Sequence, residues 1–149
     1  MAIVQTQTTS FKVDLLNGVH NFGTGVVRAA TTADTFKIAL YTSDAVLNAT
    51  TTSYNASNEA SGTGYTAGGN TLTVSQVPTS TDNTAFLSFS STSWSGSSIS
   101  ARGALIYNST QSDKSVAILD FGDTKTTVNQ TLTIEFPTAN SSSAIIRIE

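Results

Sequence analysis

Histidine occurs once in the chain, at His20, and its imidazole is the natural first candidate for acid–base chemistry near neutral pH. A Ser-His-Asp arrangement needs a hydroxyl on one side of that ring and a carboxylate on the other. Nothing around His20 singles out either partner, so a structural or interface role is expected for it. Asp120-Phe121-Gly122 carries the letters of the protein-kinase metal motif. The chain lacks a glycine-rich phosphate loop, the lysine that follows it and a catalytic-loop motif, and it is far too short for that fold. Asp120 is expected at the polar end of a buried strand, with Gly122 turning the chain. Asp120, Asp123 and Glu135 are acids that adjacent strands could bring near one another. Calcium takes about six to eight oxygens, often from clustered carboxylates, and no D-x-D-x-D-G loop is present, so no metal site is expected.

Other motifs read in the same plain way. Ser61-Gly62-Thr63-Gly64-Tyr65-Thr66-Ala67-Gly68-Gly69 has the glycines of a phosphate cradle but neither dinucleotide spacing nor a closing lysine. A strand-like run, Asn70-Thr71-Leu72-Thr73-Val74, follows it, so no helix N-terminus faces an anion there. Asn48, Asn55, Asn108, Asn129 and Asn140 match the glycosylation pattern, which chance largely supplies in a chain so rich in Ser and Thr. Tyr41, Tyr54, Tyr65, Trp94 and Tyr107 are the aromatic candidates for stacking on a sugar. Trp94 stands in the polar stretch Ser91-Thr92-Ser93-Trp94-Ser95-Gly96, where it is expected to pack in the core or anchor an interface. No catalytic residue, cofactor site or metal ligand is assigned, and an enzyme is not expected.

Composition narrows the classes further. The 149 residues suit one domain, and at that length a hydrophobic core holds without staples. There is no cysteine, which removes disulfides, thiolate metal sites and thiol catalysis. Charged residues make up 11% of the chain, against about 25% in typical domains. The net charge of −3 leaves no basic stripe to displace counterions from a phosphate backbone, so nucleic acid is not an expected partner. No apolar run approaches the roughly 20 residues that span a bilayer, and Met1–Thr6 has no signal-peptide pattern, so a soluble protein without a membrane partner is expected.

These residues must be held by elements whose periodicity is mostly two. Residues 1–9 read as an extended N-terminal arm. Phe11, Leu15, Leu16, Val19 and Phe22 fall at helical spacing between a capping Ser10 and a terminating Gly23, which predicts one short helix. Gly23–Ala33 reads as a connection with a strand at Val26-Val27. From Thr35, Phe36, Ile38 and Leu40 alternate with Lys37, Ala39 and Tyr41, the mark of a strand. Asp44–Gly69 reads as a long excursion that must be functional or held by neighbours. Strands are expected at Asn70–Val77, Thr84–Ser90, Ile99–Tyr107, Ser115–Phe121, Gln130–Phe136 and Ala144–Ile148, with Pro78 and Pro137 at strand ends. The expected fold is all-β: a single antiparallel β-sandwich domain over 10–149, jelly-roll or immunoglobulin-like, with the short N-terminal helix and the extended arm.

Several segments together resemble a group of small structural proteins of tailed bacteriophage virions. The resemblance is carried by Phe11–Phe22 (FKVDLLNGVHNF), Asp34–Ser43 (DTFKIALYTS), Ser61–Gly69, Ala101–Asn108 (ARGALIYN), Ala117–Gly122 (AILDFG) and Ala144–Ile148 (AIIRI), in order along most of the chain. It implies a capsid decoration (cement) protein that binds and stabilises the lattice of the major capsid protein, with self-association as a homotrimer. A tail, baseplate or head-fibre component with a carbohydrate- or receptor-binding surface is the alternative. The location implied is the capsid surface of the virion, after assembly in the bacterial cytoplasm. An arm ahead of a compact domain suits clamping, and Ile3, Val4, Phe11 and Val19 are the expected anchors, with Trp94 a further interface residue. On this reading, deleting residues 1–9 weakens capsid binding while the domain still folds.

Overall fold

The structure, a computed structural model, describes residues 3–8, 10, 11, 15, 19–23, 33–82 and 84–148. Ten strands dominate it: β1 (Thr6–Gln7), β2 (Phe36–Tyr41), β3 (Asn70–Leu72), β4 (Val74–Thr81), β5 (Thr84–Phe89), β6 (Thr92–Ser97), β7 (Ser100–Asn108), β8 (Lys114–Thr126), β9 (Gln130–Ile134) and β10 (Ile146–Ile148). They form a five-stranded sheet in the order β1-β8-β7-β2-β3, a three-stranded sheet β10-β5-β4 and a two-stranded sheet β6-β9, and all these pairings are antiparallel.

The alternation read in the sequence at β2 has a physical cause in the packing. Phe36, Ile38 and Leu40 enter one apolar cluster, together with Ala104, Ile106, Val116, Leu87, Phe89, Trp94, Ile134 and Ile146. Ala39 and Tyr41 enter a second cluster on the other face, with Leu105, Tyr107, Ile118, Ala45, Leu47 and Ile3. Because successive side chains point to opposite faces, a strand buried on both sides must be apolar at nearly every position. β2, β7 and the first half of β8 meet that demand, and their registers keep like faces together: Phe36↔Asn108 through Tyr41↔Gly103, then Ala104↔Leu119 and Leu105↔Ile118.

Two expectations are corrected here. The helix over Ser10–Gly23 is not seen: helical backbone is described only at Ser10, Phe11 and Leu15, and Val19–Phe22 are irregular. Tertiary contacts outweigh helical spacing in that stretch. The Asn21 N–H donates to the Asp34 carboxylate, the Asp34 N–H donates to the Asn21 carbonyl, and Phe22 stacks on Phe36 with ring centroids 4.3 Å apart. The strand expected at Val26-Val27 lies outside the described residues. Secondly, Thr92–Ser97 forms strand β6, which its Ser- and Gly-rich composition concealed. It pairs with β9 through Thr92↔Ile134, Ser93↔Thr133 and Trp94↔Leu132, with a bulge before Ser97 at Gly96, whose φ is +58°.

β6 and β7 run nearly continuously on one side, and β8 and β9 on the other, so residues 92–134 make a long ribbon with a corner at Ser97–Ser100 and Thr126–Gln130. Thr127 builds that corner. Its hydroxyl bonds Ser97 Oγ at 2.9 Å and accepts from the Ile99 N–H, while its own N–H donates to the Ile99 carbonyl.

The excursion 44–69 is held against the five-stranded sheet. Tyr54 N–H donates to Asp113 O, Ser115 N–H to Thr52 O, Ala60 N–H to Leu40 O and Thr42 N–H to Asn58 O. Its last residue, Gly69, has φ +70°, and a Cβ there would overlap the Ile38 carbonyl oxygen. Gly69→Ala is therefore expected to cost about 3 kcal/mol or more, from left-handed strain and backbone overlap together. Chemical denaturation of the variant checks this, and a loss below about 1 kcal/mol would show that Gly69 is not pinned against β2.

Candidate interaction surface and the polar clusters behind it

Four of the five aromatics considered for sugar stacking prove to be parts of one internal cluster. Glu59 sits at its hub. Its Oε2 accepts from Tyr54 OH at 2.7 Å, and its Oε1 accepts from Tyr65 OH at 2.6 Å and from the Gly68 N–H at 2.7 Å. Tyr65 OH in turn accepts from the Leu40 N–H, Tyr107 OH donates to Gly68 O and Tyr41 OH donates to Asn55 O. Tyr54 and Tyr107 stack with centroids 4.8 Å apart. Burial raises the phenol pKa of all four. For Tyr54 and Tyr65 the hydrogen bond to Glu59 raises it further, for Tyr41 the Glu59 charge does, and Tyr107 is pushed up to about 12 by burial and then by the Asp113 and Glu59 charges. These are neutral hydroxyls that tie the excursion to the sheet. Sequence reading missed Glu59. The available signal was its isolation, as the one acid between Asp44 and Asp82, with tyrosines on both sides.

His20 belongs to a second cluster. It is 7% exposed, lies among Phe11, Phe22 and Phe36, and places Nδ1 3.0 Å from Asn108 Nδ2. The Asn108 amide orientation follows from its partners: Oδ1 accepts the Thr110 and Gln111 N–H groups, so Nδ2 faces His20 and the Asp34 carboxylate at 2.8 Å. His20 Nδ1 is then the acceptor of an amide proton, which assigns the neutral tautomer with its hydrogen on Nε2. The arrangement fastens the segment around His20 to the β7–β8 turn.

Asp120-Phe121-Gly122 forms an irregularity in β8, since Ala101 pairs with Lys125 but Gly103 with Asp120. Asp120 Oδ1 pairs with Arg102 and also accepts the Gly122 N–H at 2.9 Å, with Gly122 at φ +77°. No group of three or more His, Cys, Asp or Glu is placed to hold a metal among the described residues. Of the glycosylation-pattern asparagines, Asn108 is buried, while Asn48, Asn55 and Asn140 accept N–H groups two residues ahead in Asx turns.

The five residues expected at an interface are dispersed. Phe11 is fully buried, Trp94 is 3% exposed and Ile3 is 5% exposed, all within the apolar clusters, and Val19 is half-buried. The segment 3–8 is docked on its own domain. Thr6 and Gln7 pair with Ile118 and Ala117, Ile3 bridges to Leu47, and Thr8 is buried against Ser115. Val4 alone of the five points outward, at 52% exposure, and its N–H donates to Leu47 O. Val46, next to Leu47, is 55% exposed. The inward pair Ile3 and Leu47 is thus flanked by an outward pair, Val4 and Val46, with the exposed Asp44 nearby in the sequence. No helix among the described residues is long and apolar enough to cross a membrane.

No protein-family model matches the chain, and neither a curated protein nor a solved structure matches it.

Proposed function

We propose that this chain is a virion structural protein, a capsid decoration protein whose sheets pack as a sandwich and whose outer face, made by residues 3–8 and the excursion 44–59, seats on the major capsid protein. Copies of the chain associate with one another on the particle, and the protein acts by binding and not by catalysis. The observation that carries this reading is the outward pair Val4 and Val46 on a platform held by the Glu59 cluster and the Ile3–Leu47 bridge. A rigid face loses little entropy on docking, and two apolar points on a polar face suit a polar, water-rich contact. The scarcity of charge supports the same use, because close approach to a capsid lattice desolvates few ions.

Binding of the purified chain to capsids stripped of it tests the proposal. Val4→Asp together with Val46→Asp is expected to weaken binding by about tenfold or more, since burying two exposed valines is worth roughly 1–2 kcal/mol. The melting temperature should hardly move, because both side chains are exposed. Undiminished capsid binding by this variant would sink the assignment of the face. Deleting residues 1–9 is the poorer test, since it also removes Ile3 and Thr8 from the interior. Electron cryo-microscopy of the parent particle locates the chain: density over the icosahedral shell supports the capsid reading, and density confined to the tail moves it to the tail or fibre alternative.

A further inference from the structure

The edges of the sheets are treated unequally, and one of them is left bare. β1 and β10 are two and three residues long, and the Gln7 side-chain amide donates to Arg147 O at 2.9 Å, closing the gap between them. β3 is three residues long. β4 is longer, but it carries Pro78 and two register irregularities against β5. The outer side of β6 is capped by Asn70, whose amide donates to Thr92 Oγ1 and Ser93 O. Short strands, proline, bulges and side-chain caps are the usual protections of sheet edges. β9, Gln130-Thr131-Leu132-Thr133-Ile134, has none of them. Among the described residues it pairs with β6 on one side only, and the bulge in that pair falls on β6.

What surrounds this edge matches a second copy of itself. A groove of about 260 Å³ runs beside it, lined by Phe121, Lys125, Leu132, Thr133, Ile134 and Glu135. Neither the Lys125 ammonium nor the Glu135 carboxylate has a partner among the described residues. Val128, the most exposed large apolar side chain described, at 74%, stands just ahead of β9. In an antiparallel pair of identical strands, the start of one lies against the end of the other. Val128 of each copy then reaches the groove end of its neighbour, and Lys125 approaches the neighbour's Glu135, twice over about a two-fold axis. Thr131 and Thr133 come into cross-strand reach, a favourable pairing on an exposed sheet face.

We infer that β9 is a self-association edge, which joins two copies of this chain into a continuous sheet β6-β9-β9-β6. The inference does not depend on the capsid reading, and it predicts a two-fold dimer where the sequence resemblance implies a trimer.

Sedimentation of the purified chain alone over a concentration series tests it. A monomer–dimer equilibrium is expected for the wild type. Val128→Asp should weaken it about ten- to hundredfold. Lys125→Glu should also weaken it, and Lys125→Glu combined with Glu135→Lys should recover it. Hydrogen exchange gives an independent readout: β9 amides should be protected in the dimer and exchange faster in Val128→Asp, with β7 amides unchanged. A wild type that stays monomeric, a trimer, or a dimer indifferent to Val128→Asp and to the charge reversals overturns the inference. Capsid binding by a monomeric wild type would leave the proposed function standing while this inference fell.

Discussion

Raising the pH past about 10 is expected to unfold this protein cooperatively, with its buried tyrosines ionising only as it unfolds, above the pH at which free phenols titrate. Free tyrosine ionises near pH 10. In the fold, Tyr41, Tyr54, Tyr65 and Tyr107 all hold their protons more tightly, first because burial disfavours the phenolate and then because Glu59 or Asp113 lies close by. The sign follows directly. A raised folded-state pKa means that the neutral form is the one the fold stabilises, so the stabilisation is complete below pH 10. It is lost as the pH climbs from there toward the folded values, about 12 for Tyr107 and higher for the other three. Each well-buried tyrosine steepens the loss by up to about 1.4 kcal/mol per pH unit, and the half-buried Tyr54 and Tyr65 by less. With roughly 5–15 kcal/mol of stability to lose, a few such groups unfold the domain within about two to three pH units. Phenolate absorbance and far-ultraviolet circular dichroism should therefore change together. Tyr54→Phe should make the transition shallower while weakening the fold at neutral pH by about 1 kcal/mol, the net value of one buried hydrogen bond. Gradual phenolate formation near pH 10 with the fold intact would contradict the cluster.

Phe36→Ala is expected to be the most damaging single truncation, at about 3–5 kcal/mol. Phe36 is 1% exposed. Its ring lies parallel to Phe22 within 9° and is tilted against Phe89 at 5.9 Å and His20 at 6.4 Å. Removing it opens a cavity where β2, β5 and the segment around His20 meet, and that segment cannot follow the gap inward while Asp34 and Asn108 hold it. For a domain of this size, the melting temperature should fall by roughly 6–20 °C. Phe121→Ala, at a half-exposed ring on the irregular part of β8, should cost about 1 kcal/mol and serves as the contrast. A double-mutant cycle of Phe22→Ala with Phe36→Ala should show a coupling of about 0.5–1.5 kcal/mol. Independent effects would mean that the rings do not stack.

Much of the architecture was legible locally. β2, β7 and the buried half of β8 announce themselves by length and by runs of apolar residues, because a central strand needs apolar side chains on both faces. Pro137 follows the end of β9, but Pro78 does not end a strand as expected. The strand read over Asn70–Val77 splits at Thr73 into β3 and β4, and Pro78 lies inside β4, at a register irregularity of that edge strand where no ladder N–H is needed. Gly122, expected to turn the chain after a strand ending at Phe121, instead lies inside β8, which runs on to Thr126 with a register irregularity there and Gly122 at φ +77°. β6 was invisible for the opposite reason. A strand of Thr, Ser, Gly and one Trp is stabilised by its partner β9 and by the Asn70 cap, neither of which leaves a local trace. The N-terminal segment shows the cost of trusting periodicity alone, since Phe11, Leu15, Val19 and Phe22 fit a helix but Phe22 and His20 are drawn to Phe36 and Asn108 on strands far along the chain.

The sequence by itself determined that the chain is antiparallel and all-β, free of cysteine and poor in charge, because composition and alternation act residue by residue. Only the tertiary structure decided which polar groups meet. Glu59 gathers three hydrogen-bond donors from Tyr54, Tyr65 and Gly68, His20 finds an amide instead of a hydroxyl, Ile3 turns inward, and Val4 with Val46 turns out. Those outcomes depend on register and on how a 26-residue excursion, Asp44–Gly69, lies over a sheet. A one-residue change in either would exchange the buried and the exposed sets.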